Sequence, residues 1–359
     1  MRGHDIAQGR LFVTRTVASF VPAGHPLLAM RKLVDEALKD LDGLFNTIYA
    51  SAGRESIPPE RLIRASLLQI LFSIRSERQL VEQIEYNMLY RWFVGLELED
   101  PVWNHSTFSK NRDRLLDHAV FEHFFDTVLA MAKKRKLLSD EHFSVDGTLL
   151  DAWASHGSLK RRDGSDDDKP GGGKDFRGET RSNKTHVSGT DPQAELMKKS
   201  EGTASRLSYG VDALMENRNG MVVGVGVRPA ASVTERDGAT DLLAAESSTK
   251  QKTVGCDKGY DTHDFVHGCR ELNFTPHVAM NVERRGGTTL DGRTTRHAGY
   301  LTSMICRRKI ESVFGWVKEY GGLRRMKYRG KKRVAGFVQM VMASFNLLRM
   351  RNIESMAGI

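Results

Sequence analysis

The sequence predicts an α/β chain, α+β overall, in which a mixed β-sheet flanked by helices follows an all-α N-terminal region. Three observations predict it. Apolar residues recur at helical spacing from position 25 to about 135. After Glu141 short apolar runs alternate with amphipathic segments, the pattern of sheet and helix in turn. Between two of those runs "ENRNG" supplies an Asn-Gly hairpin turn, so at least one strand pair is antiparallel.

The elements follow in order. "HPLLAMRKLVDEALKDLDGLF" and "PERLIRASLLQILFSI" are amphipathic, and Pro59 suits the first turn of the second. "SERQLVEQIEYNMLY" opens on a capping Ser. "HSTFSKNRDRLLDHAVFEHFFDTVLAMAKKRKLL" offers Ser106 or Thr107 as a cap. These helices form a bundle, or one short basic helix, "STFSKNRDRL", enters a DNA groove in helix-turn-helix fashion. His105 beside it reads as structural. "HFSV" is a strand closed by Asp146. Residues of about 155–205 are polar, and "DGSDDDKPGGGKDFRGE" has almost nothing to bury, as expected of a mobile insertion. "RLSYGVDALMENRNGMVVGVGVRPA" is the hairpin, "RDGATDLLAAESS" a helix, "KTVGC" a strand closed by Asp257, "DTHDFVHGCREL" a helix with an Asp or Thr cap, and "TPHVAM" a strand. The domain boundaries expected are 1–138, 139–330 and a C-terminal helix over 331–359 that packs on the middle unit.

The chain has 359 residues, 28% of them charged, with a net charge of +9 and a pI of about 9.4. That balance points to a polyanionic partner, nucleic acid first and an anionic membrane surface second. Between Leu301 and Ile359 thirteen Lys or Arg face three acids, Glu311, Glu319 and Glu354, so the polyanion should meet this end. No apolar run is long enough to span a membrane, and "MRGHDIAQGRLFV" lacks the apolar core of a secretory signal. The three cysteines, Cys256, Cys269 and Cys306, have no metal-ligand spacing and suit a reducing cytosol.

Two acids thus stand at strand ends, where α/β sheets gather ligand-binding residues; a turn or a cap is the local alternative. The third lies in "RRKIESVFGWVK", Arg307 to Lys318. With Glu311 at zero and about 100° per residue, Arg307 and Lys318 fall within about 40° of it, whereas Ile310, Val313, Trp316, Val317 and Tyr320 fall on the opposite face. One reading is an exposed Arg–Glu ion pair worth about 0.3–0.5 kcal/mol. The other is a metal ligand flanked by two phosphate-binding cations. Three converging carboxylates repel unless a cation neutralises them, and carboxylate oxygen is the donor magnesium and manganese prefer.

"VDGT" at 145–148, "GCDKGYD" at 255–261 and "RRKIESVFGWVK" at 307–318 resemble the three catalytic segments of bacterial insertion-sequence DDE transposases, in the IS-five-like group of the IS-four-like class. "LLQILFSIRSERQLVEQIEYNMLYRWFVGL", "DPVWNHSTFSKNRDRLL", "SDEHFSVDGTLLDAWAS" and "DGRTTRHAGY" extend the likeness over most of the chain. The resemblance implies a ribonuclease-H-like catalytic domain behind a DNA-binding or dimerising helical domain. It implies Asp146, Asp257 and Glu311 as catalytic metal ligands for two Mg2+ ions, with Mn2+ as a substitute. It further implies Mg-dependent phosphodiester hydrolysis and strand transfer on double-stranded DNA, both the terminal inverted repeats and the target. A homodimer or higher oligomer, a bacterial, nucleoid-associated cytoplasmic location and no membrane go with it. An inactive DNA-binding repressor and a nuclease without strand transfer are the alternatives. The class also carries a Tyr, Arg, Glu, Lys signature. Arg307, Glu311 and Lys318 keep its spacing; its Tyr position is Met304, with Tyr300 the nearest tyrosine. Arg307 and Lys318 are therefore expected phosphate contacts, joined by Lys258, Arg324, Arg325 and Arg329 as DNA-binding cations. In "YRGKKRVAGF" the basic run reads as a backbone contact or a solvated face.

Overall fold

In the computed structural model, residues 15–49, 56–164 and 181–356 are described. The segment "MRGHDIAQGRLFV" and most of "DGSDDDKPGGGKDFRGE" lie outside them.

Seven helices come first: α1 (Pro26–Lys39), α2 (Asp42–Ile48), α3 (Pro59–Leu71), α4 (Glu77–Tyr86), α5 (Met88–Val94), α6 (His105–Asp117) and α7 (Val120–Lys134). Local chemistry sets their starts. Pro59 is the first residue of α3, and the Ser76 hydroxyl caps α4 by accepting from the Gln79 N–H at 3.1 Å. Helix α6 is capped by Asn104 rather than by Ser106 or Thr107: its amide oxygen accepts from the Ser106 N–H at 2.9 Å, which puts Ser106 and Thr107 inside the first turn. Phe108, Arg112, Leu115 and Leu116 of α6 face inward, and Lys110 and Arg114 are exposed.

The strands among the described residues are β1 (His142–Asp151), β2 (Leu159–Arg161), β3 (His186–Ser188), β4 (Glu195–Met197), β5 (Arg206–Glu216), β6 (Val222–Pro229), β7 (Lys252–Cys256) and β8 (Phe274–Val278); β2 and β3 pair with each other in a small ribbon, and the other six form the main sheet. Between these lie α8 (Glu235–Glu246) and α9 (His263–Glu271); α10 (Gly292–Thr295), α11 (Tyr300–Cys306), α12 (Lys309–Glu319) and α13 (Lys331–Met356) follow. Strand β5 is central to the antiparallel half, pairing with β1 on one edge and with β4 and then β6 on the other. On the far side of β1 come β7 and β8, both parallel to it. The resulting order, β6–β5–β1–β7–β8 with one antiparallel meander and two parallel strands, is ribonuclease-H-like. Short strands β2, β3 and β4 lie within the polar stretch of about 155–205, where the sequence shows no strand; each pairs through only three residues, too few for an apolar pattern to show.

Alternate residues of the sheet feed two cores, as a two-residue period requires. Ala213 and Met215 of β5 join the helices α1–α7, α12 and α13, whereas Leu214 joins Phe143, Val145, Val254, Phe274 and the apolar sides of α8 and α9. Helix α13 packs against α7, α1, α6, α3, α12 and β6. The basic run that opens it is turned onto α6: Arg333 pairs with Asp117 at 2.9 Å, and the Lys332 ammonium donates to the Asp117 carbonyl at 2.6 Å. Among the described residues no helix is long and apolar enough to cross a membrane.

Two sequence readings are corrected here. Strand β1 does not end at Asp146 but runs on to Asp151, because its antiparallel register with β5 continues to Ser208. Gly147 is therefore no turn residue. A Cβ there would lie 2.5 Å from Glu235 Cγ and 2.7 Å from Asp212 Oδ1, so the close approach of α8 and β5 demands glycine. Second, "RRKIESVFGWVK" is not one helix. Arg307 caps α11 and Arg308 starts α12, with the Ile310 and Glu311 N–H groups reaching back only three residues. Tyr320, expected on the buried face, is exposed: it lies past the helix end, where its carbonyl accepts from the Ser73 hydroxyl at 3.0 Å.

Candidate active site

The parallel register places two of the acids. Phe143 pairs with Val254 and Ser144 with Gly255, an offset of 111 positions. The same offset relates Asp146 to Asp257, the residue just past the end of β7. The paired register stops at Ser144 and Gly255, and the strands are free to part at the acids.

The third acid comes from the layer above. His142, Ser144, Asp146 and Thr148 share one face of β1. The Ser303 hydroxyl on α11 bonds His142 Nε2 at 2.6 Å, and the Lys318 ammonium on α12 donates to Thr148 Oγ1. The helix pair is thus pinned to both ends of this face. Between these anchors Arg307 ends α11 and Glu311 lies in the first turn of α12, near enough for its charge to act on Asp146. Arg307 lies against the strand beside β1: a Cβ on Gly255, the partner of Ser144, would lie 3.3 Å from Arg307 Cβ.

The electrostatics are those of crowded acids. Burial, with the negative charges of Glu235, Asp257 and Glu311, pushes the Asp146 carboxyl up to about 7, against a lowering by the Gly147 N–H it accepts from at 2.9 Å. Asp257 Oδ1 accepts from the Gly259 N–H at 2.7 Å, so it also serves as a local cap. Among the described residues no three His, Cys, Asp or Glu side chains converge tightly enough to ligate one ion. Asp146 still feels the charges of Asp257 and Glu311. Their chemistry nevertheless suits a hard divalent cation, since all are carboxylates and the repulsion that raises Asp146 is relieved by positive charge.

Glu235 is the acid that sequence reasoning missed. Its Oε1 accepts from the Gly147 N–H at 3.0 Å and from the Tyr260 hydroxyl at 2.9 Å, tying α8 to β1 and to the turn after Asp257. The signal was the capping box of Thr234 and Asp237, which starts α8 at Glu235, one residue before the start read from the apolar pattern.

The expected cations divide into groups. Arg307 and Lys318 flank Glu311. Arg307 makes no ion pair among the described residues, and its Nε is buried without a partner. Lys318 is half-buried with only a neutral partner; burial first, then the charges of Lys199 and Arg324, lower its pKa against the pull of Asp151 and Asp146. Lys258, exposed after β7, lies 3.8 Å from Glu283. Arg325 bridges Asp151 at the end of β1, on the edge opposite β5, with Arg324 beside it: Arg324 pairs with Glu319, and Arg325 stands 5.5 Å over the Trp153 ring. Arg329 is exposed beside Gly330, whose N–H donates to Asp191 at 3.2 Å, on the β5 side of the sheet.

Other residues are structural. Tyr300 is buried and its hydroxyl donates to the Val278 carbonyl at 2.8 Å; Met304 packs against the second core. His142 has partners distant in sequence: Ser303 bridges it to His277 Nδ1 at 2.5 Å, and burial, with nearby His297 and His142, lowers His277 to about 4. Burial raises the Cys256 thiol.

Comparison with known proteins agrees with this architecture. Residues 15–114 match a family described as "Transposase domain (DUF772)" and residues 138–347 one described as "Transposase DDE domain". No curated protein matches the chain. Among solved structures, a piggyBac transposase synaptic complex with hairpin DNA is 7% identical, with 92% of this chain and 76% of that one covered and a TM-score of 0.43. A pre-cleavage Mos1 transpososome is 11% identical, with 84% and 82% covered and a TM-score of 0.21. Both are weak likenesses. The family match of residues 138–347 spans more than half of the chain, which therefore belongs to the transposase DDE domain family.

Proposed function

We propose that the chain binds the terminal inverted repeats of its own element, hydrolyses a phosphodiester at the element end in a Mg2+-dependent reaction, and joins the freed 3′ hydroxyl to target DNA. The observation that supports this reading is the approach of acids from three elements, Asp146 of β1, Asp257 just past the parallel strand β7 and Glu311 in the first turn of α12, the last two near enough for their charges to act on the first.

Asp146, Asp257 and Glu311 would hold the divalent ions. Bound there, two such ions supply Lewis-acid stabilisation of the attacking and leaving oxygens in a phosphodiester displacement. The chain supplies the positioning. Glu235 fixes the Gly147 backbone beside Asp146 and the Tyr260 ring beside Asp257. Arg307 and Lys318, charged groups lacking a carboxylate partner, hold phosphates on either side of the scissile bond. The basic C-terminal region adds attraction for the rest of the backbone. Synapsis of two element ends calls for a dimer or larger assembly.

A strand-transfer assay on labelled element ends, with magnesium and a target plasmid, tests this. Joined product supports transposition, cutting alone indicates a nuclease, and binding alone a repressor. Normal joining by Glu311→Ala would sink the assignment of that residue. Arg307→Ala and Lys318→Ala should each weaken binding to end DNA and lower the slope of log affinity against log salt by about 0.9. Unchanged slopes would remove these residues from the phosphate contacts.

A further inference from the structure

A groove of about 500 Å3 lies at the end of β1. It is lined by Lys199, Arg206, Lys318 and Arg324 with a single carboxylate, Asp151, and by the apolar Leu149, Met197 and Ala204. Lys318 belongs both to this groove and to the cations beside Glu311, so the groove adjoins the candidate site.

We infer that this groove holds one unpaired DNA strand, the flank that leads away from the scissile phosphate. The inference rests on the transposase reading above and adds Lys199 and Arg206 to its contacts. Three observations point to a nucleic-acid strand. Lys199 makes no ion pair or hydrogen bond among the described residues, and Lys318 has only the Thr148 hydroxyl, so two of four cations have no counter-ion. Arg206 pairs with Asp151 at 2.7 Å while most of its side chain stays exposed, leaving guanidinium donors for another acceptor. Met197, 38% exposed, presents a thioether where a wholly ionic site would need none. Cations interleaved with apolar side chains fit a strand whose phosphates meet the cations and whose sugars and bases meet the apolar groups. In a duplex the bases are stacked on one another and offer no face to these side chains.

The test is binding of the full chain, in chelator and without divalent metal, to a short labelled single-stranded oligonucleotide and to its duplex. Lys199→Ala with Arg206→Ala should weaken single-strand binding about tenfold near 0.1 M salt, lower its salt slope by about 1.4, and leave duplex binding nearly unchanged. Lys199→Arg with Arg206→Lys should retain both. Unaltered single-strand binding by the alanine pair overturns the inference. So does an equal loss for duplex, or a loss as large in the charge-preserving pair. Because metal-dependent cleavage is read separately, a failed groove leaves the carboxylate assignment standing, and the converse holds.

Discussion

Asp146→Asn is expected to abolish metal-dependent cleavage and, in chelator, to make the chain more stable than wild type at neutral pH. Both follow from the crowding of acids around β1. In the unfolded chain an aspartate loses its proton near its ordinary value of 3.8; folded, Asp146 keeps it up to about 7. Between those values the folded state binds more protons than the unfolded one. Stability therefore falls as pH rises from about 4 to about 7, by at most about 1.4 kcal/mol per unit. An amide cannot ionise and escapes that loss. Melting curves of the two proteins should coincide near pH 4 and separate by about 2–4 kcal/mol above pH 7, with the variant higher. Added magnesium should then raise the wild type and leave the variant unmoved, since a ligand that binds only the folded state stabilises it. Parallel curves at every pH, or equal stabilisation of both by magnesium, would refute the account.

Asp212→Ala should cost about 3–5 kcal/mol, because it strands a buried guanidinium. Asp212 is only 1% exposed, and its two oxygens accept from Arg228 Nε at 2.7 Å and Nη2 at 3.2 Å. Arg228 keeps one other bond, to the Val233 carbonyl at 2.8 Å. The pair lies directly under Gly147 and against Gly238 of α8, where an added Cβ would meet Asp212 Oδ2 at 2.0 Å. It therefore sets how deeply α8, and with it Glu235, approaches the site. Urea unfolding should show the midpoint fall without a change in slope. Replacing both partners, Asp212→Leu with Arg228→Met, should recover much of the loss, since no unpaired charge remains. A loss below about 1 kcal/mol for Asp212→Ala would mean the pair is more solvated than its burial indicates.

Much of this was legible in the sequence, for identifiable reasons. The hairpin of β5 and β6 follows from its Asn-Gly turn, and α12 from the spacing of Ile310, Val313 and Val317, all buried. Asp146 and Asp257 stood out because each follows an apolar run. What stayed hidden depends on non-local packing. That β1 continues past Asp146 is decided by its partner β5, 57 to 65 residues away in the chain. The break at Arg307 and Arg308 leaves the apolar periodicity almost intact, so no pattern marks it. Glu235, Lys199 and Arg206 looked like ordinary surface charges, and only the third dimension brings them beside the acids or into one groove.

The seating of α11 and α12 on β1 carries one more implication. The sheet can form with two carboxylates in place, yet Glu311, Arg307 and Lys318 arrive only when Ser303 meets His142 and Lys318 meets Thr148. A half-folded or locally frayed molecule thus lacks Glu311, Arg307 and Lys318 at once. Under the function proposed above, that arrangement would act as a safety catch: the capacity to cut DNA would be withheld until the last helices have docked.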